Sequence, residues 1–352
     1  MNVDVPAGVF FTNYSQDMAV VQTRVRWGWL VFCVLLFAAF PVFLSDGLLS
    51  ILIYICITTI AVQVLNILTG YCGQISLGHA AFMGVGAYTS AVMVTKYGLP
   101  FWIALPSAGL TAGVVGTIFG APALRIKGFY LALSTLAAQV IIGFILVHWK
   151  SMTGGAWGLQ TTPPKLWGIN FNTDCKYYYL VVIVAAIMIY FAKRLAMTRT
   201  GRAFVAVRDN DMAAQAMGVN IYTYKLLAFF IGCFYAGIAG ALLVHYMRLA
   251  YAEYYGLHHS VLYLGILVVG GMGSVLGPIL GAFFITVLQE ISYALGPPIA
   301  HAVPFLFNSI GKALPDILVG LVFMLILIFE PRGLAHRWEL FKMSYRLWPF
   351  SY

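Results

Sequence analysis

The stretch Leu48-Leu-Ser-Ile-Leu-Ile-Tyr-Ile-Cys-Ile-Thr-Thr-Ile-Ala-Val-Gln-Val-Leu-Asn-Ile-Leu68 carries no charged side chain and is almost wholly apolar. A helix needs about 20 such residues to cross the hydrocarbon of a bilayer. The rest of the chain has the same character. Of its 352 residues, 62% are hydrophobic and 9% charged, and the mean hydropathy is +0.90. A soluble chain carries about 25% charged residues, so the solvent of most of this chain is lipid. A soluble enzyme, a disordered protein and a nucleic-acid reader are excluded on that ground. Working outward from Leu48–Leu68, similar windows are Trp27–Leu44, Ala80–Thr95, Phe101–Ala123, Phe129–Val147, Tyr177–Ala192, Tyr222–Tyr246, Leu257–Gly271, Gly277–Ile291 and Ile317–Phe329. The runs are continuous rather than alternating with period two, which excludes a β-barrel. The fold class expected is an all-α polytopic membrane protein with about ten transmembrane helices, several of them short, tilted or broken.

The net charge of +9 gives the orientation. Ten crossings place both termini on one side. With the termini inside, the inner segments hold Arg24, Arg26, Arg125, Lys127, Lys193, Arg194, Arg199, Arg202, Arg208, Lys225, Arg332, Arg337, Lys342 and Arg346. The outer segments hold only Lys96, Lys150, Lys165, Lys176, Arg248 and Lys312. Cytoplasmic loops attract Lys and Arg in this way, and the same charges suit an anionic inner leaflet. Residues 1–23 include Asp4 and Asp17 and offer no cleavable signal. Cys33, Cys56, Cys72 and Cys233 fall in or beside spans and Cys175 in an outer loop, with no pairing or metal-ligand spacing. They read as small apolar residues.

Three stretches are not plain spans. Gly70-Tyr-Cys-Gly-Gln-Ile-Ser-Leu-Gly-His-Ala-Ala-Phe-Met-Gly-Val-Gly86 holds five glycines, with Gln74, Ser76 and His79 at membrane depth. Irregular backbone is tolerated there only where protein or a water-lined cavity satisfies it, so the stretch either lines a solute route or packs helices closely. Gly270-Gly-Met-Gly-Ser-Val-Leu-Gly-Pro-Ile-Leu-Gly281 reads as a sharp turn at Gly273-Ser274 and a new helix starting at Gly277-Pro278. Close packing is its favoured role, with Ser274 its one hydrogen-bonding side chain. Candidate pathway residues are accordingly Asn66, Gln74, Ser76, His79 and Ser274. The third stretch, 199–218, lies on the basic side. Asp209, Asn210 and Asp211 suit an N-cap, Met212–Met217 a short helix, and Gly218 its C-terminal stop. Its patch of Ala213, Ala214, Ala216 and Met217 serves either a connector or a docking helix. Apart from the first and sixth spans, the chain divides into groups 48–147 and 222–329 of opposite topology, so an inverted repeat is an expectation.

No phosphate-binding loop occurs, since Gly311-Lys312 is followed by Ala313. His258-His259 stands at an outer membrane edge without nearby ligand candidates. Glu290 near the end of the ninth span is a candidate proton-coupling carboxylate or a snorkelled acid. A stand-alone secondary transporter or channel needs a buried coupling site, for which only Glu290 and His79 qualify, in distant segments. An intramembrane enzyme lacks any convergent nucleophile or metal set. The chain encodes no energy source of its own, so it is passive or a partner supplies the energy.

Gly70–Phe82, Thr200–Gly218 and Gly270–Pro278, in this order, resemble the membrane permeases of branched-chain amino acid ABC transporters, LivM branch, over residues 48–335. The resemblance implies a single transmembrane permease domain, 1–352. It comprises a cytoplasmic segment 1–26, a membrane domain 27–329 with a cytoplasmic coupling loop 193–221, and a cytoplasmic tail 330–352. It implies a bacterial inner-membrane importer, and a chain that is not an enzyme and holds no cofactor or metal. The partners implied are a second homologous permease of the LivH type, two cytosolic ATP-binding subunits and an extracytoplasmic solute-binding protein, in membrane lipid and without nucleic acid. The ATPase-coupling residues implied are Thr200, Gly201, Arg202, Arg208, Asp209, Asp211, Ala213, Ala214 and Gly218, with Ala213, Ala214 and Gly218 resembling the core of the loop signature. The implied solute is a branched-chain or related amino acid. Relatives of the same architecture move urea and short amides or aromatic acids, and the binding protein largely makes that choice. The aromatics of the outer connection 148–176, with Trp149, Trp157, Trp167 and Tyr177–Tyr179, read as interface anchors, or part of this loop receives the binding protein.

Overall fold

The deciding stretch forms one helix whose last turn is loosened: α-helical over Asp46–Leu65, it continues as a π-helical turn over Asn66–Tyr71. In lipid a helix satisfies every backbone group within its own segment, which is why Ile-, Val- and Thr-rich runs are helical here. The structure is a computed structural model that describes residues 24–124, 129–166, 169–302 and 314–347. The reading of the N-terminal segment 1–23, and the expectations for Arg125, Lys127, Trp167 and Lys312, fall outside the described residues.

Each apolar window coincides with a helix. These are α1 (Arg24–Phe43), α2 (Asp46–Leu65), α3 (His79–Thr95), α4 (Phe101–Ala123), α5 (Phe129–His148) and α6 (Asp174–Met197), then α9 (Ile221–Met247), α10 (Leu257–Gly270), α11 (Leu276–Ala302) and α12 (Leu314–Phe329). Two further helices, α7 (Arg199–Asp209) and α8 (Asp211–Ala216), lie between α6 and α9, and α13 (Leu334–Leu347) follows α12. Among the described residues, six helices are long and apolar enough to cross a membrane by length and composition. A seventh counts if α12 and α13, bent by 47°, form one span. At 14 residues, α10 is a short apolar helix.

Two spans run antiparallel through the middle. The start of α2 (Ser50) and the end of α9 (Tyr246) border one cavity, and the far end of α2 (Leu68) packs on Gly232 of α9. These are the two spans with the largest buried share. Helix α9 packs on α3 and α4, and α2 packs on α10 and α11. Exchanging α2–α5 with α9–α12 turns each set of pairings into the other, as an inverted repeat requires.

Lipid gives little hydrophobic drive for helices to associate, so close packing at small residues has to supply it. At the α3–α9 crossing a Cβ on Gly86 would overlap the Gly237 backbone, and a Cβ on Gly237 would overlap the Ala108 backbone of α4. Along α4, Gly109, Gly113, Gly116 and Gly120 form a groove that receives Phe234, Phe230, Cys233 and Phe229 of α9. The opposite faces of the outer helices show Leu110, Val114, Phe144, Ile183 and Phe191 to the surroundings.

At the C-terminal end of α9 a small cap is pinned to the helices. Strand β1 (Leu159–Gln160) pairs antiparallel with β4 (Leu249–Ala250), and β2 (Lys165–Leu166) with β3 (Ile169–Asn170). The buried His245 holds it, with Nε2 2.9 Å from the Ser90 hydroxyl and Nδ1 3.1 Å from the Thr162 carbonyl. Trp157 is 92% exposed, but Tyr177 and Tyr178 are buried. Their hydroxyls donate to the carbonyls of Leu242 and Phe37. These two tyrosines therefore pack the core, unlike interface anchors, because α6 starts three residues earlier than the apolar window and faces them inward.

Candidate functional site

The glycine-rich stretch after α2 leaves helical geometry over Cys72–Gly78, and α3 begins at His79. A helix start at membrane depth exposes N–H groups that need acceptors. Here they come from other helices. Leu77 N–H donates to Thr135 Oγ1 of α5 at 3.0 Å, and Ala80 N–H to Ser260 Oγ of α10 at 2.9 Å. Ala81 N–H donates to Gln139 Oε1 of α5, also at 2.9 Å. Ser260 Oγ in turn donates to Gln139 Oε1 at 3.1 Å, so the cap is a connected network. Thr135, Gln139 and Ser260 are not legible as a cap in the sequence because each lies more than 50 positions from the N–H it accepts.

The break between α10 and α11 lies against the same place. Asn66, in the π-helical turn, donates from Nδ2 to the Ser274 carbonyl and accepts from Gly273 N–H, both at 2.8 Å. Ser274 Oγ accepts from Gly277 N–H at 3.0 Å and so caps the start of α11. Asn66 and Ser274, read from the sequence as pathway lining, are thus engaged in holding the two breaks together. Gln74, Ser76 and His79 differ from them. All three are at most 2% exposed, and Gln74 Oε1, Ser76 Oγ and His79 Nε2 have no hydrogen-bond partner among the described residues. Thr58 Oγ1 and both polar side-chain atoms of Gln63, on α2, share this condition and were not singled out from the sequence.

The segment 199–218 holds two helices where the sequence reading expected one. Thr198 caps α7, accepting from Gly201 N–H, and buried Ala203, Phe204 and Val207 seat it. Arg202 reaches the Met197 carbonyl at 3.1 Å, and Thr200 lies half-buried in the first turn. Asn210 Oδ1 then accepts from the N–H groups of Met212 and Ala213 at 3.0 and 3.1 Å, which starts α8. Gly218, at φ +83°, ends it. Asp211 pairs with Lys225 of α9 at 3.0 Å and anchors α8 from behind. Ala214 is buried, so it seats the helix, while Met212, Ala213, Ala216 and Met217 face outward.

Arg208 links this element to the breaks. Its Nη1 donates to the Gly70 carbonyl at 2.6 Å, while Asp209 accepts from its Nε at 3.0 Å and steadies it. The aliphatic part of Arg208 lies over Gly73, whose φ of +70° and missing Cβ make room for it. Helix α8, α7, the Gly70 turn, Asn66 and the Gly273-Ser274 turn are therefore joined by consecutive contacts.

The sequence matches the family described as "Branched-chain amino acid transport system / permease component" over residues 47–327. It is 31% identical to the "High-affinity branched-chain amino acid transport system permease protein LivM" of Escherichia coli strain K12, covering 93% of this chain and 78% of that protein. It is 26% identical to the "Probable branched-chain amino acid transport permease protein LivM" of Methanocaldococcus jannaschii, over 66% of this chain and 67% of that protein. With the "Autoinducer 2 import system permease protein LsrC" of Escherichia coli O157:H7 it shares 27% identity over 85% of each chain. A match across most of the membrane domain, spanning both breaks and the helices between them, means that this chain belongs to the permease family of branched-chain amino acid transport systems, as a multi-pass transport subunit rather than an enzyme.

Proposed function

We propose that this chain is the membrane-spanning subunit of an ATP-driven importer in a bacterial inner membrane, with both termini cytoplasmic. It pairs with a second, homologous permease. Two cytosolic ATPases dock on the face that bears α8, and an extracytoplasmic binding protein delivers a branched-chain or related amino acid. The observation that carries this reading is α8 itself: a capped, anchored helix on the basic side that leaves Met212 and Met217 79% and 85% exposed. Large apolar side chains held out on a rigid support are what a partner surface buries. Movement of a docked partner would pass through Arg208 to both breaks, because a packed two-state element transmits displacement through its contacts.

The test is uptake into proteoliposomes holding the complete transporter, with leucine, urea and an aromatic acid as solutes. Autoinducer 2, the solute named for one relative, serves as competitor. Leucine uptake that requires ATP is the expected result, and uptake that persists without ATP would sink the reading. The double variant Ala213→Arg/Met217→Asp should insert normally but lose the ATPase on co-purification. Full co-purification and uptake in that variant would refute the docking face.

A further inference from the structure

Helix α13 is set at 47° to α12, and contacts on both sides of the junction fix that bend. Arg337 pairs with Glu330, just past the end of α12. Gly333, at φ +79°, brings the chain so close to the α10–α11 break that a Cβ on it would lie 2.6 Å from the Gly271 Cα. The Ala335 side chain lies against the same glycine. Helix α13 is therefore seated on that break, on the side of the molecule that bears α7 and α8.

A water-facing helix turns its apolar stripe to the protein and its polar side out. Here the order is reversed. Arg332, His336 and Glu339 line a cavity of about 420 Å³ against residues 271–274 of the break. Leu334, Trp338 and Phe341 follow at spacings of four and three and so share one face, on the side of the helix away from His336 and Glu339. Trp338 and Phe341 are 46% and 63% exposed, with their rings stacked at 5.9 Å. Arg337 and Lys342 run along the two edges of this stripe. Helix α12, which leads into α13, shows Leu321, Met324 and Ile328 along one exposed face, so the stripe starts where a lipid-facing surface ends. Residues 330–347 carry Arg332, Arg337, Lys342 and Arg346 against Glu330 and Glu339.

We propose that α13 is an anchor for anionic phospholipid, with the Leu334, Trp338 and Phe341 stripe among acyl chains at the membrane surface and the basic residues at the headgroups. Shape and charge both suit that partner. An apolar stripe with Trp and Phe, edged by basic side chains, is what a helix lying in the membrane interface presents, and Lys and Arg near an anionic leaflet add attraction. Because Gly333 and Ala335 sit on Gly271, the anchor also holds the α10–α11 break, and Asn66 carries that hold to the end of α2. The inference rests on the proposed orientation only for which leaflet is meant, the inner one.

The test uses the complete transporter in a form without native cysteines, with a fluorophore on Phe341→Cys, in phosphatidylcholine vesicles. A nitroxide near the top of the acyl chain is carried either by added phosphatidylglycerol or by phosphatidylcholine at the same share. Both should quench the label, the phosphatidylglycerol form about fivefold more, the effect of one basic residue beside an anionic surface. Lys342→Gln/Arg346→Gln should remove that difference and leave the phosphatidylcholine quenching. No quenching by either lipid would overturn the anchor, since protein then covers the stripe. Equal quenching by both before the charges are removed would overturn it as well. Should Phe341→Cys fail to assemble, Trp338→Cys carries the label. ATP-driven uptake in the same vesicles keeps the outcomes separate. Uptake without quenching refutes the anchor and leaves the permease reading standing, whereas quenching without uptake of any solute refutes that reading and leaves the anchor.

Discussion

Arg208 and Gly70 are 138 positions apart and in direct contact, and the residues around that contact are the ones whose replacement has a calculable effect. Gly73 and Gly218 both sit at positive φ, +70° and +83°. Alanine in that region costs about 1–2 kcal/mol from its Cβ alone. Gly218 has open space around it, so Gly218→Ala should cost no more than that. At Gly73 the new Cβ would come 2.9 Å from Arg208 Cγ. Gly73→Ala should therefore lower thermal stability further and weaken the Arg208 contact, and its cost measured in an Arg208→Ala background should fall to about that of Gly218→Ala. Equal melting of the two single variants would show that the Arg208 stem does not lie over Gly73. Asn66→Ala leaves Gly273 N–H and the Ser274 carbonyl without their partner, a loss of about 1–3 kcal/mol for buried groups. Asn66→Asp keeps the acceptor for Gly273 but sets a second acceptor against the Ser274 carbonyl in a fully buried place, so it should melt no higher than alanine. None of these pairings was visible in sequence. Asn66 reads there as a polar residue at membrane depth, which equally suits a solute contact.

At the scale of elements, what could be read early was what is local. Apolar runs, the Asn210 cap and the Gly218 stop each depend on neighbours within a few positions, and the structure contains all of them. Helix α7 was missed because only Ala203, Phe204 and Val207 of it are apolar and buried, too short a stripe to stand out among basic residues. The start of α3 was legible as a break but its cap was not, since Gly78 offers no side chain and the acceptors come from α5 and α10. Two consequences can be measured. Asn210→Ala removes the acceptor for two N–H groups at the start of α8, a cost of about 1 kcal/mol. Amide exchange over 211–218 should accelerate several-fold without change in the spans, and Asn210→Asp should restore it. For α3, Ser260→Ala should speed exchange at Ala80, a residue on another helix. Unchanged exchange there would mean that the trans cap does not form.

For the whole molecule, partner choice among helices is what the sequence hid most. In lipid the spans are alike in apolarity, and only small-residue faces such as Gly86 and Gly237 mark where two backbones touch. The charge arithmetic bears on the complementary question of which side each connection faces, and the arrangement of the breaks makes it testable. Arg208 binds Gly70, and Asn66 binds Gly273 and Ser274, so the ends of α2 and α10 lie on the same side as α7 and α8. The cap with Trp157 is bound to β4, at the opposite end of α9. Trp157 and Met212, at 92% and 79% exposure, therefore report opposite faces. In a form without native cysteines, Trp157→Cys should react with an impermeant thiol reagent in intact cells, and Met212→Cys only in inverted vesicles made without the ATPase subunits. The reverse result would keep the fold and invert its orientation, placing the basic loops outside against the charge bias. Reaction of both from one side would contradict the fold itself, since the antiparallel α2–α9 pair leaves no arrangement in which those two surfaces share a face.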